Sequence, residues 1–450
     1  MDVLIVGAGV AGLAAARSLS AAGISVSILE ARDRAGGRIC TARDSALEIP
    51  IELGAEFIHG RPPSILDLAD TAGLAIEEMA ERHEFWQEGK PARRDDLFRK
   101  TDEIFGRMED PALPDETFSE FIAQIDANQD AQQAAVGYVE GFNAARADRI
   151  SIKALGLESR AQQAIDGDRA FRFRQGYDRL AEWLRQESVA QGATLRLNTV
   201  ATAVEWQRGK ATVAARDATK ASPEQTFRTD RVIITLPLGV LQAAGGMPGA
   251  VRFSPEPPRL RSALDRLAMG HAARVTLKFR PEFMRAHPRL TESGFIHSNE
   301  DAFPTWWTPL AAPDGRPAPV LTGWCGGPKA ERLAGWSGSK ITESAVESLA
   351  RIVSMSGDAV RRELEVPYFH NWSSDPFARG AYSYARVGGL EARRSLAEPV
   401  EDTLYFAGEA VETEGHATTV HGAIESGQRA ARRIIEGAWL TGGPRARPTA

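Results

Sequence analysis

The run Asp2-Val-Leu-Ile-Val-Gly-Ala-Gly-Val-Ala-Gly-Leu-Ala-Ala-Ala, residues 2 to 16, constrains the chain more than any other stretch. Val3 to Val6 are four apolar residues with no polar face, the pattern of a strand buried on both sides in a parallel sheet. Gly7, Gly9 and Gly12 follow with the spacing G-x-G-x-x-G. With Val10 and Ala11 they form a turn and helix start that aims backbone N–H groups at a pyrophosphate. Ala11, Ala14 and Ala15 let that helix pack closely on its strand. A second apolar run, Ile24 to Leu29, ends in Glu30, the acid expected about 20 residues on to hold a ribose hydroxyl. An acidic residue there favours an unphosphorylated ribose, hence FAD or NAD over NADP.

Directly after Glu30 the chain reads Ala31-Arg-Asp-Arg-Ala-Gly-Gly-Arg-Ile39, and later Leu53-Gly-Ala-Glu-Phe-Ile-His-Gly60. Near its other end it reads Trp372-Ser-Ser-Asp-Pro-Phe-Ala-Arg-Gly-Ala-Tyr382, Leu404-Tyr-Phe-Ala-Gly-Glu-Ala410 and Ala417-Thr-Thr-Val-His-Gly-Ala-Ile-Glu-Ser-Gly427. In these segments the sequence resembles the flavin-dependent amine oxidases: monoamine and polyamine oxidases, L-amino acid oxidases and flavin-dependent lysine demethylases. The resemblance implies an α/β fold in which a Rossmann-like FAD-binding domain is discontinuous and interleaved with an α+β substrate-binding domain. It implies FAD contacts from Gly7, Gly9, Val10, Ala11, Gly12, Glu30, Ala31, Arg32, Gly37, Arg38, Leu53, Gly54, Ala55, Glu56, Ala201, Trp372, Gly408, Glu409, Thr419 and Val420. Covalently flavinylated relatives carry a cysteine before the cage tyrosine; here Ala381 stands there, so noncovalent FAD is expected.

At 450 residues the chain exceeds one compact core. The segments 1–80, 190–245 and 396–437 are assigned to the FAD domain, 81–189 and 246–395 to the substrate domain, and 438–450 to a flexible tail. Residues 81 to 190 read as largely helical, with Pro111 and Pro114 marking a loop. Strands are expected over Thr194 to Trp206, Arg231 to Thr235, Ala273 to Phe279, Ala318 to Trp324 and Val366 to Trp372. A net charge of −6 argues against nucleic acid as the main partner. Cys40 and Cys325 have no disulfide or metal spacing, no apolar run approaches the roughly 20 residues of a membrane span, and the first strand leaves no room for a signal peptide. These features suit a cytoplasmic protein acting on a small molecule without metal or membrane; monomer and homodimer stay open.

The resemblance implies oxidation of an amine to an imine, with hydride passing to flavin N5. Water then yields an aldehyde or ketone, and O2 reoxidises the flavin to give H2O2. It places Tyr382 as one wall of the aromatic cage around the substrate nitrogen, with His416 where a second aromatic is common. Arg274 occupies the position of the family lysine that holds water against flavin N5, with Lys278 four residues on along the same face. Arginine stays charged and cannot act as a base, which leaves an acceptor other than O2 open. Glu56 and His59 are candidates for binding a cationic substrate chain, or for structural polar groups. The alternatives are a desaturase or dehydrogenase of a non-amine substrate, and a weakly active flavin-binding interaction protein.

Overall fold

The computed structural model describes the chain except residues 80, 81, 88, 93, 94, 111, 221, 222, 301, 309–314, 316 and 441–450 and the side chains of 95–99, 439 and 440. The loop marker Pro111 and the tail beyond residue 440 therefore lie outside the described residues. Among those described, five parallel strands form one sheet in the order Thr194–Arg196, Ser25–Leu29, Asp2–Val6, Arg231–Ile234, Leu404–Phe406. All five fall within segments 1–80, 190–245 and 396–437.

The apolar run at the start of the chain is buried on both faces. Val3 and Ile5 pack with Leu13, Ala14, Leu180, Leu184 and Ile424 from the helices Val10–Ala21, Asp178–Ala190 and Val420–Leu440. Leu4 and Val6 turn the other way, onto Val204, Trp206 and Val213 of a second sheet. That sheet is ordered Gln225–Thr229, Lys210–Asp217, Thr199–Gln207, Arg252–Ser254. The helix Asp178–Ala190, assigned mainly to the substrate segment by sequence, thus packs on the nucleotide core. Thr194 to Trp206 is two strands rather than one. The chain leaves the parallel sheet after Arg196 and turns at Asn198 in the left-handed region (φ 52°), which asparagine tolerates.

The substrate half is built on a seven-stranded sheet ordered Leu364–Phe369, Ala272–Phe279, Val320–Gly326, Thr305–Trp307, Phe295–His297, His83–Gln87, Lys90–Ala92. Neighbours run antiparallel except for the parallel pair of Phe295–His297 with His83–Gln87. Alternation sorts the second strand: Ala273, Val275, Leu277 and Phe279 enter a core with Ile341, Ala345 and Leu349 of helix Gly338–Ile352. Arg274, Thr276 and Lys278 share the opposite face. Residues 81 to 190 are less uniformly helical than the sequence suggests. The helices Asp95–Arg107, Phe118–Gln124, Gln129–Gly141 and Ile152–Gln163 are preceded by strands His83–Gln87 and Lys90–Ala92 and followed by strand Ala170–Phe173. His83–Gln87 and Ala170–Phe173 are recruited by partners distant in sequence, which local periodicity does not reveal, and Lys90–Ala92 folds back on His83–Gln87 as a hairpin.

Candidate active site

The glycine turn is shaped by close approach. Gly7 adopts φ +108°, and a Cβ on Gly12 would lie 2.1 Å from the Gly7 carbonyl oxygen, so neither position accepts a larger residue. At Gly9 and at Gly408 (φ +129°) an added Cβ would meet nothing within 4 Å. Open space beside two glycines, next to a helix N-terminus, is what a pyrophosphate requires. Glu30 leaves the end of its strand buried, with Oε2 accepting the Ala8 N–H (2.7 Å) and Oε1 the Arg32 N–H (2.9 Å). Burial raises its carboxyl above the ordinary range against the pull of these two donors. The residues present therefore fit an adenine dinucleotide.

The other predicted cofactor residues gather along one line from this turn. A Cβ on Gly37 would sit 3.3 Å from the Gly9 Cα, and one on Gly54 only 1.9 Å from the Arg38 carbonyl oxygen. That carbonyl accepts the Ala55 N–H at 3.2 Å, and the Leu53 carbonyl accepts the Trp372 indole N–H at 2.7 Å. Ala31 links Glu30 to Arg32, whose guanidinium is paired with Asp375 at 2.8 Å. Arg38 donates to the Ala381 carbonyl (2.7 Å) and to Glu409 Oε1 (2.9 Å), joining the first segment to the last. Ala201 is buried in the strand whose Thr199 N–H donates to the Glu30 carbonyl at 2.8 Å. Thr419 caps the final helix: its hydroxyl donates to the His416 carbonyl (2.6 Å) and accepts the Gly422 N–H (3.0 Å), so Val420 opens the first turn.

Tyr382 and His59 converge on Phe142, at the end of helix Gln129–Gly141. The Phe142 carbonyl accepts the Tyr382 hydroxyl, and its ring meets His59 edge-on at 5.3 Å. Phe142 also stacks on Tyr138 (5.0 Å, 21°). Tyr138 and Phe142 are 46% and 43% exposed, yet burial lifts the Tyr138 phenol well above its usual range, with Asp102 and Glu158 adding to the rise. His59 is pushed down to about 4 by burial and is neutral at pH 7. His416 sits 3.1 Å from His421 through Nδ1 and Nε2.

Glu56 is not free to meet a substrate. Its Oε2 lies 2.5 Å from Arg274 Nη2 and accepts the Trp307 indole N–H at 3.2 Å, and its Oε1 lies 2.9 Å from Arg172 Nε. Arg274 also donates to the Gly54 carbonyl (3.1 Å). The two guanidiniums lie over the rings of Trp307 (5.6 Å) and Phe57 (4.8 Å). Burial, partly offset by Glu56, pushes Arg172 down to about 10. Lys278, on the same strand face as Arg274, points into a different pairing with Asp44 (2.8 Å) and Glu365 (3.5 Å). Of the two readings of Glu56, its geometry is that of the structural polar group.

Four residues here escaped the sequence reading. Tyr138 and Phe142 carry a usable signal, an aromatic pair at i, i+4 on an amphipathic helix; His421 lies within a quoted motif without drawing notice. Arg172, in the short strand Ala170–Phe173, carries none. Among the described residues no cluster would hold a metal ion, and no helix is long and apolar enough to cross a membrane.

Residues 10–435 match the family model described as flavin containing amine oxidoreductase. Polyamine oxidase 4 of Oryza sativa subsp. japonica is 27% identical, the match covering 96% of this chain and 88% of that protein. Lysine-specific histone demethylase 1 homolog 1 of the same organism is 29% identical over 97% of this chain and 52% of that one. A solved structure of wild-type putrescine oxidase bound to putrescine superposes with a TM-score of 0.79 at 23% identity, covering 97% of this chain and 99% of the other, which shows the shared fold. With a family match over nearly its whole length and a cradle that fits the cofactor, this chain belongs to the flavin containing amine oxidoreductases and is an FAD-dependent amine oxidase.

Proposed function

We propose that the enzyme oxidises a flexible diamine or polyamine, takes it up as a cation, holds FAD noncovalently and passes electrons to O2. The observation that carries the substrate class is the stacked Tyr138–Phe142 pair, which stands against Tyr382 and His59 and offers aromatic faces to a cation. Aromatic faces favour an alkylammonium. Relatives named as polyamine oxidases and putrescine oxidase agree with that class.

Bound FAD would supply the two-electron acceptor for the amine. Gly7, Gly9, Gly12, Glu30, Arg38 and Gly408 would hold its dinucleotide part, and the first turn from Thr419 and Val420 would offer N–H groups where negative charge develops. Tyr382 and His416 would flank the substrate nitrogen. Phe142, Tyr138 and neutral His59 would give that side of the pocket uncharged rings. Arg274, fixed by Glu56, would keep a permanent positive charge beside the site. Water would hydrolyse the imine to an aldehyde and to ammonia or a shorter amine. Ala381 offers no thiol for a covalent flavin link, and the two free cysteines suit the cytoplasm.

An anaerobic titration of the yellow enzyme with putrescine, spermidine, benzylamine and L-leucine tests this. Bleaching by the first two in preference to the others is expected, with peroxide on readmitting air. A photoreducible flavin that neither diamine nor polyamine bleaches would remove the substrate class, and recovery without peroxide would remove O2.

A further inference from the structure

His416 and His421 form a pair that an ordinary aromatic cage does not need. The His416 backbone is locked on both sides, its N–H on Glu412 Oε2 (2.7 Å) and its carbonyl on the Thr419 hydroxyl (2.6 Å). Glu412 also accepts the N–H groups of Glu414 (2.7 Å) and Gly415 (3.1 Å), so one buried carboxylate sets the whole loop. The imidazole Nδ1 is then held 3.1 Å from His421 Nε2, with the rings at 68°.

The two rings differ in surroundings. His421 is 1% exposed, in the first turn of helix Val420–Leu440; His416 is only half-buried. Burial, then His416 and His59, push His421 down to about 3, and the positive end of the helix acts in the same direction. His421 is therefore a neutral imidazole at any working pH, with one lone pair to offer. His59 is neutral too, and the Tyr382 phenol is held protonated by burial. Glu412 is the acidic group bound to the loop itself, with Glu158 on the neighbouring helix and Arg429, which donates to the Val411 carbonyl, beyond it.

An alkylamine arrives at neutral pH as an ammonium, and its oxidation needs the nitrogen lone pair. We propose that His416 removes that proton at Nε2, and that His421 is the positioning residue whose Nε2 accepts the Nδ1–H of His416 and so keeps the Nε2 lone pair free for it. The ammonium N–H bond breaks, the proton goes to His416 Nε2, and the Nδ1–H of the imidazolium donates to His421 Nε2, leaving neutral amine. The proposal rests on the amine oxidase assignment and on the placement of His416 beside the substrate nitrogen given above, and not on the polyamine reading.

The test uses amines that bind without reacting: 2,5-dimethylhexane-2,5-diamine and tert-butylamine, neither of which has a hydrogen on the carbon bearing nitrogen. Their affinity for the FAD-loaded enzyme is measured by calorimetry and flavin difference spectra from pH 7 to 9. Wild type is expected to gain less affinity per pH unit than the variant, because part of the proton is kept on the His416–His421 pair. His416→Gln is expected to gain about tenfold per pH unit, because the proton must leave to solvent. If His416→Gln retains no FAD, His421→Leu is expected to give an intermediate slope. Equal slopes in wild type and variants would overturn the proposal alone; failure of either amine to bind anywhere in the range would overturn it together with the expectation that this pocket accepts alkylammonium ions.

Discussion

Arg274 Nη2 lies 2.5 Å from Glu56 Oε2, and Arg172 reaches the other oxygen of the same carboxylate, so a single buried anion serves two buried cations. Glu56→Gln would leave both guanidiniums without a counter-charge. A loss of about 3–5 kcal/mol is expected in denaturant unfolding, the usual result of removing one partner of a buried pair. A loss below 1 kcal/mol would show that the arginines are compensated elsewhere.

Arginine at position 274 supplies charge without a removable proton. Arg274→Lys is expected to speed reoxidation of the reduced enzyme by O2 by roughly a hundredfold, the low side of what a positioned proton donor contributes. Stopped-flow mixing with oxygenated buffer reads this directly, and an unchanged rate removes the idea that Arg274 restrains the oxidative half-reaction.

Glu52 adds a pH dependence. Its carboxylate accepts the Thr41 hydroxyl (2.6 Å) and the Tyr177 N–H (2.7 Å), but burial outweighs both donors and raises it to about 7 from 4.5. A carboxyl raised in the folded state favours folding most when protonated. Its contribution is full below about 4.5 and lost as pH rises towards 7, an interval worth on the order of 3 kcal/mol at most. Glu52→Gln is expected to flatten the fall in thermal midpoint between pH 5 and 8 and to melt above wild type at pH 8. Parallel curves would assign the pH dependence to other groups.

A Cβ on Gly427 would lie 2.1 Å from the Ala11 carbonyl oxygen, where the last helix crosses the first. Gly427→Ala is expected to force the helices apart at a cost of about 1–3 kcal/mol and to lower the flavin content of the purified protein. Full flavin content with an unchanged melting temperature would mean the crossing relaxes freely.

The cofactor side was legible because each requirement there is local. A turn needing Gly7 and Gly12, a strand ending in Glu30 and a helix capped by Thr419 all announce themselves within a few residues. The reacting side was partly legible. Tyr382 and His59 meet at Phe142 and His416 meets His421, but the partners come from elsewhere in the chain: Phe142 from a helix end, His421 from the first turn of the last helix, and Arg172, against Glu56, from a four-residue strand. The role of Glu56 depended on arginines that only the tertiary fold brings to it. The short strand His83–Gln87 was missed for a related reason, since its partner Phe295–His297 lies far along the chain.

The contact of Gly427 with Ala11 also bears on how the molecule comes into being. Val3 and Ile5 share one core with Ile424 and Ile434, so on the ribosome the early strand and helix wait for nearly all the intervening polypeptide before that face is covered. During synthesis that face of the nucleotide half is covered only once the last helix is made, while the substrate sheet, whose strands end at Phe369, can close earlier. Capture of FAD, which would draw on Gly9 and on Gly408, then comes late and stabilises the closure of first segment on last.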